Sequence, residues 1–366
     1  MKRCRTCLYP DSKPDLYFDE SGECSACINY RNRPSINWEA RKKDLLRLLD
    51  RHEGRVIVPS SGGKDSTYIV MTLLELGADV TIVTARTCML TDIGRRNIDN
   101  LARYARTIEV VPNMTVRAKL NRLGQELVGD ISLPEHMAIF STPFNVAADI
   151  GIDLMFYGEN SQDCYGGPPG SEEARQLTRR WVSEYGGHLG LRAPDLIGMQ
   201  GITRRDMQDY MLSEKAKETS TLEAHFLGQY LPWDSRENAE TAVAAGMQYE
   251  LPTESNWWGW ENLDNAQTSI HDFFGFLKYG YGRGCAQVSV DIRSGRYHRD
   301  IMIDWLKRYD GHYPWRYAGV PLGDILARIG VDDDWFHGQI RQWTNRELFD
   351  LPDEPDFMPK LKDWGC

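Results

Sequence analysis

The chain has 366 residues, of which 41% are hydrophobic and 26% charged, with a formal net charge of −10. That length buries a sizeable core in two or three structural units, and the composition is ordinary for a folded globular protein. An acidic balance repels phosphate backbones, so nucleic acid is disfavoured as a partner. The longest apolar candidate for a membrane span, Ala138 to Tyr157, is interrupted by Asn145, Asp149 and Asp153, so no membrane partner is expected either.

Residues 1–35 lack apolar periodicity and are rich in Cys, Pro, Asp and Asn, so they cannot bury a core of their own. They carry a staple instead. Cys4-x2-Cys7 and Cys24-x2-Cys27, sixteen residues apart, have the spacing of a four-cysteine metal site. Tetrahedral thiolate coordination is closed, which makes the role structural; zinc is the expected ion, with an iron–sulfur cluster as the alternative. No apolar signal region follows Met1-Lys2-Arg3-Cys4, so a reducing cytoplasm is expected, where paired cysteines bind metal rather than form disulfides.

From Ile36 to His52, Trp38, Leu45, Leu46, Leu48 and Leu49 among charged residues predict an amphipathic helix. Arg55 to Val58 is a short apolar strand ending in Pro59-Ser60-Ser61-Gly62-Gly63, and Thr67 to Leu76 a helix. Strands follow at Asp79–Thr84, Thr107–Val111 and Asp153–Tyr157, with helices at Ile93–Tyr104, Val116–Val128 and Glu135–Ile150. This alternation predicts an α/β fold, a parallel sheet with helices on both faces. Residues 160–200 are loop-rich, and from Thr203 the chain reads as mainly helical with no strand alternation. Three segments result: 1–35, a metal-binding segment; 36–202, the sheet domain; and 203–366, a helical region for substrate or partner.

The chemistry concentrates where the first strand meets a helix. Gly62 and Gly63 let backbone amides approach an anion closely, and the first helical turn adds unpaired N–H groups and the positive end of the dipole. Ser60, Ser61 and Ser66 add hydroxyls, Lys64 a point charge, and Asp65 an anchor for magnesium. A Walker loop is excluded: Val58 stands where its first glycine belongs, and Asp65 follows the lysine. Ser61-Gly62-Gly63-Lys64-Asp65-Ser66 instead resembles the PP-loop of the ATP pyrophosphatases, which cleave ATP between its α and β phosphates. Gly158, Glu159 and Asn160 follow the fourth strand, at the carboxyl end where open α/β sheets bind ligands, and are candidates to touch nucleotide, metal or the reacting group.

Further segments narrow the resemblance: Tyr157-Gly158-Glu159-Asn160, Tyr165-Gly166-Gly167, Tyr230-Leu231-Pro232-Trp233-Asp234, His271-Asp272-Phe273, Lys278-Tyr279-Gly280-Tyr281-Gly282-Arg283, Asp291-Ile292-Arg293-Ser294-Gly295-Arg296 and Tyr309-Asp310-Gly311. In this order, with the cysteines, they resemble the N-acetyl sugar amidotransferase family of bacterial surface-polysaccharide and nonulosonic-acid pathways. The resemblance implies ATP, Mg2+ and structural Zn2+, and a reaction converting the acetamido group of a sugar or nucleotide sugar into an acetamidino group. The amide oxygen would be adenylated and ammonia would displace AMP; the ammonia would come from a separate glutaminase with a cyclase-like subunit. Lys64, Asp65, Glu159 and Asn160 are the expected catalytic group. Arg283, Arg293, Arg296, Arg299 and Asp310 are expected to bind substrate, since guanidinium groups suit planar anions, and His271 and Asp272 are further candidates. Trp257, Trp258 and Trp260 offer stacking faces for a sugar or simply core. Cys88 and Cys164 read as ordinary small residues, with no glutaminase nucleophile among Cys88, Cys164, Cys285 and Cys366. The alternative is an ATP-dependent tRNA thiolase, which shares the loop and paired cysteines but which the charge disfavours.

Overall fold

The computed structural model describes residues 1–366 except 159, 162–164, 169–170, 172–173, 251–253, 353–357 and 366. Glu159, Cys164 and Cys366 therefore lie outside the described residues.

A short helix, α1 (Ser25–Arg31), follows the second cysteine pair. α2 (Trp38–Arg51) opens where the Asn37 side chain accepts the Ala40 amide at 3.0 Å, and it buries Leu45, Leu48 and Leu49. Next come β1 (Arg55–Pro59), α3 (Lys64–Glu75), β2 (Asp79–Ala85), α4 (Asp92–Leu101), β3 (Arg106–Val110), α5 (Met114–Val128), α6 (Leu133–Ile150) and β4 (Leu154–Tyr157). α7 (Arg179–Tyr185) and α8 (Glu214–Glu218) precede β5 (Glu223–Phe226). All five strands pair in parallel, in the order β3-β2-β1-β4-β5.

Both faces of this sheet are covered, which is why Val56-Ile57-Val58 is apolar without alternation. Val56 and Val58 pack with Leu45 of α2 and Ile69, Val70 and Leu73 of α3, while Ile57 packs with Met155, Ala147 of α6 and Trp181 of α7. The expected fold class is the one observed. β5 completes the sheet at residues 223–226, past the limit at residue 203 read from the sequence. In β5, polar Glu223 and His225 alternate with Ala224 and Phe226, a signal only four residues long.

The remaining chain is helical: α9 (Ser235–Ala244), α10 (Thr268–Tyr279), α11 (Arg283–Arg293), α12 (Arg299–Tyr309), α13 (Leu322–Arg328) and α14 (Asp333–Trp343). Two short ribbons complete it, β6 (Arg316–Tyr317) with β7 (Val320–Pro321) and β8 (Phe349–Asp350) with β9 (Lys360–Leu361). Phe273, Phe274, Phe276, Phe336 and Phe349 form its aromatic core. The cysteine-bearing N-terminal segment docks here: Cys4, Cys7, Leu8 and Tyr9 share a core with Cys285 and Val288 of α11 and Met302 and Leu306 of α12. Buried Arg3 fastens it by donating to the carbonyls of Trp364 and Gly280, at 2.7 and 3.2 Å.

Candidate active site

The strand order places β1 between β2 and β4, so chain connections leave β1 and β4 in opposite directions and open a crevice at their carboxyl ends. The loop Ser60–Ser66 fills that crevice. Gly62 adopts φ +78°, and a Cβ there would lie 2.7 Å from the Ile98 amide nitrogen, so both the turn and the close approach to α4 require glycine. Ser60 Oγ accepts the Gly62 amide at 2.9 Å and donates to Ser66 Oγ at 2.8 Å, which fixes the turn from inside. Gly63 begins α3 without a side-chain cap, and the first intrahelical bond runs from the Thr67 amide to the Gly63 carbonyl. The amides of Lys64, Asp65 and Ser66 thus have no intrahelical acceptor, as an anion site requires.

The crevice widens into a cavity of about 870 Å³ whose walls come from residues spread between Tyr9 and Gln287. Gly158 lines it beside the loop; a Cβ there would meet the Trp233 ring at 3.1 Å and Asp65 Cβ at 3.6 Å. Tyr9 and Lys13 of the N-terminal segment also line it. The helical region contributes Trp260, Glu261, His271, Asp272, Lys278 and Arg283.

Lys64 is buried and forms ion pairs with Asp65 and, at 2.9 Å, with Glu261. Burial alone would raise the Glu261 carboxyl, but Lys64 and Arg283 outweigh it and hold the group below its ordinary value. The other Glu261 oxygen accepts Gln287 Nε2 at 2.7 Å, and Asp65 accepts Asn238 Nδ2 at 3.1 Å. The loop is thereby tied to α9 and α11. Arg283 grips Asp272 with two bonds of 2.7 and 2.8 Å. Beside them, burial pushes His271 down, but the adjacent Asp130 carboxylate more than compensates and raises it; burial lowers His136.

Of the expected substrate residues, the structure brings only Arg283 to the cavity wall. Arg293 lies over the Tyr9 ring at 5.4 Å, among the cysteines of the N-terminal segment. Arg296 pairs with Asp234 and Asp291, and Arg299 donates to the Cys4 and Cys7 carbonyls. Asp310 is buried and accepts the Gly282 and Cys285 amides at 2.8 and 3.2 Å, capping α11. These four hold elements together. Asn160 is likewise buried off the cavity wall, donating to the Ser171 carbonyl at 2.7 Å. Trp257 and Trp258 both donate to Asp291, each at 2.9 Å, whereas Trp260 reaches the cavity. Glu261, Asp130 and His136 escaped sequence reasoning; Glu261 stands next to the tryptophan run, the only local signal it had.

The four N-terminal cysteines converge, one sulfur from each within 4.8 Å of all the others. Cys4 and Cys27 Sγ are 3.9 Å apart, and Cys7 and Cys24 Sγ 3.6 Å. A tetrahedral ion with metal–sulfur bonds of about 2.3 Å sets its sulfurs about 3.8 Å apart, so the donors fit one such ion. The Cys24 and Thr6 amides donate to Cys4 Sγ at 3.2 and 3.4 Å, which stabilises a thiolate.

No curated protein sequence matches the chain. Among solved structures, an ammonia-dependent NAD synthetase from Campylobacter jejuni, in complex with nitrate, is 10% identical at a TM-score of 0.30, covering 59% of this chain and 100% of that one. An NAD+ synthetase from Burkholderia pseudomallei is 17% identical at 0.27, covering 61% and 92%. An NMN synthetase from Francisella tularensis is 14% identical at 0.27, covering 60% and 99%. Scores this low carry no weight for the fold, which rests on the strand order above. Residues 252–362 match the model of the C-terminal domain of WbpG-like lipopolysaccharide biosynthesis proteins, the region that supplies Glu261, His271 and Arg283. Residues 252–362 are thus similar to the C-terminal domain of WbpG-like lipopolysaccharide biosynthesis proteins, and they adjoin a five-stranded parallel sheet with a glycine-rich loop at its crevice.

Proposed function

We propose that the protein is an ATP-dependent amidotransferase of bacterial surface-glycan biosynthesis that converts a sugar acetamido group into an acetamidino group, releasing AMP and pyrophosphate. The observation that carries this reading is the uncapped start of α3, which opens on a cavity walled by the WbpG-like domain. The crowded Gly62 turn and the first-turn amides, which have no intrahelical acceptor, suit a pyrophosphate. Lys64 supplies positive charge there, with a phosphate oxygen sharing or taking the place of Glu261, and Asp65 anchors magnesium.

The amide oxygen attacks the α-phosphorus, and the bond to the bridging oxygen breaks with its electron pair leaving on pyrophosphate. Ammonia then adds to the imidate carbon and gives up a proton. The carbon–oxygen bond breaks, its electron pair departs on AMP, and an amidine remains. The protein's part is to position both partners and stabilise charge on the departing phosphates. Ammonia arrives from a separate glutaminase with a cyclase-like subunit. Consistent with an external source, burial pushes the Cys88 and Cys285 thiols up to about 11 and about 12, far from a reactive thiolate. Zinc is the ion assigned to the cysteine site.

The test incubates the protein with ATP, magnesium, ammonium and a panel of diacetamido sugars and nucleotide sugars, read by mass spectrometry. A product in which NH replaces oxygen, formed together with AMP, supports the reading. ADP as the nucleotide product, or sulfur incorporation into tRNA, replaces it with another.

A further inference from the structure

The cavity wall carries a set of donors that the loop chemistry does not use. Gly129, at φ +63°, ends α5 in a left-handed turn against the Trp343 ring and delivers Asp130 to the cavity. Asp130 is buried, and its Oδ1 accepts the Ser132 amide at 2.8 Å. His136 projects from the first turn of α6 and His271 from the first turn of α10, so three separate segments converge. His271 Nδ1 lies 2.7 Å from Asp130 Oδ1, and His136 Nδ1 lies 3.7 Å from Asp130 Oδ2. One donor atom from each residue falls within 4.8 Å of the other two.

Neighbouring carboxylates do not compete for this position. Glu135 is paired with Arg117 at 3.0 Å, and Asp272 is gripped by Arg283. Among the described residues, the ion-pair partners of Asp130 are the two imidazoles. We propose that Asp130, His136 and His271 bind a divalent transition metal of the zinc class inside the cavity, at a site separate from the cysteine cluster and from magnesium carried by ATP. Two imidazoles and one carboxylate suit zinc, cobalt or iron(II) rather than magnesium or calcium. The proton shared by His271 and Asp130 occupies the position that the cation takes, so binding releases it. Three protein ligands leave at least one coordination position facing the cavity, the arrangement of a metal that receives an exogenous oxygen.

Cobalt(II) is the probe. Full-length protein retaining its resident metal, without nucleotide, is titrated with Co2+ by visible spectroscopy and equilibrium dialysis with elemental analysis. One added equivalent is expected, with d–d absorption and no thiolate charge-transfer band. Asp130→Asn and His271→Gln weaken that equivalent by roughly ten-fold or more, while the resident metal content and far-UV circular dichroism stay at wild-type values. His136→Gln, on a different helix, provides a third variant should either of these fail to fold. No added equivalent in the wild type reduces the cluster to a hydrogen-bonded Asp–His pair and overturns the proposal. So does an equivalent that survives all three substitutions, or one whose spectrum shows cobalt on thiolates.

Discussion

Gly62→Ala and Gly63→Ala alter adjacent residues of the loop, yet a methyl group meets different surroundings at each. At Gly62 the backbone stands at φ +78°, and the added Cβ would lie 2.7 Å from Ile98 N and 2.8 Å from the Asn97 carbonyl carbon, both backbone atoms of α4. At Gly63 φ is −77°, and the nearest atom is Ser61 Oγ at 3.5 Å, an ordinary contact. The left-handed conformation costs an L-residue about 1–2 kcal/mol, and overpacking against backbone adds about 1–3 kcal/mol. Gly62→Ala is therefore expected to lose about 2–5 kcal/mol, and Gly63→Ala to stay within about 0.5 kcal/mol of wild type. Urea unfolding followed by far-UV circular dichroism measures the difference, with AMP release from ATP recorded alongside. Equal stability of the two variants refutes the packing described for the loop. Gly63→Ala is then the cleaner chemical probe: AMP release lost at wild-type stability locates the phosphates against that amide.

Glu261→Gln removes the charge facing buried Lys64; one-sided loss from a buried pair costs about 3–5 kcal/mol, lessened here by Asp65, which remains beside the lysine. ATP is expected to raise the melting temperature of this variant more than that of wild type, because phosphate restores the missing negative charge, and equal shifts would contradict the pairing. Burial pushes the Asp310 carboxyl from 3.8 up to about 6, so between these values the folded state holds the extra proton and stability falls as pH rises, by about 3 kcal/mol in all. The destabilisation caused by Asp310→Asn should therefore shrink by about that amount between pH 4 and pH 7; a constant difference in unfolding free energy across the range removes this assignment. Cys24→Ser should loosen residues 1–35, and with them Tyr9 and Lys13 on the cavity wall, while the start of α3 stays in place. Limited proteolysis should cut the N-terminal segment sooner with the ATP-induced thermal shift retained. Loss of that shift, or elemental analysis finding no zinc in the wild type, counts against a structural zinc.

What the sequence made legible followed from local rules. The loop was readable because strand, glycine turn and helix start are contiguous, and the four cysteines because their spacing is local to each pair. The first four strands were readable because both sheet faces are covered, which leaves apolar runs such as Val56-Ile57-Val58. β5 was not, since an edge strand of four residues, half of them polar, falls below the length at which alternation is informative. The cavity was hidden for a different reason. Asp130, His136 and His271 are up to 141 residues apart in the chain and meet only through the packing of α5, α6 and α10, and Glu261 reaches the cavity from the segment ahead of α10. The arginines show the same limit: a guanidinium that grips a carboxylate within the fold, as Arg296 does with Asp234 and Asp291, reads in sequence like one that awaits a substrate.

The central claim is that the amide oxygen of a sugar captures the α-phosphorus while the loop from Ser61 to Ser66 holds the departing pyrophosphate. A sugar labelled with 18O in its acetamido carbonyl, converted in the presence of ATP, magnesium and ammonium, tests it most directly. The label is expected in the phosphate of AMP, one oxygen for each amidine formed, with pyrophosphate unlabelled. Label appearing in orthophosphate or water, or turnover that yields ADP, would contradict it.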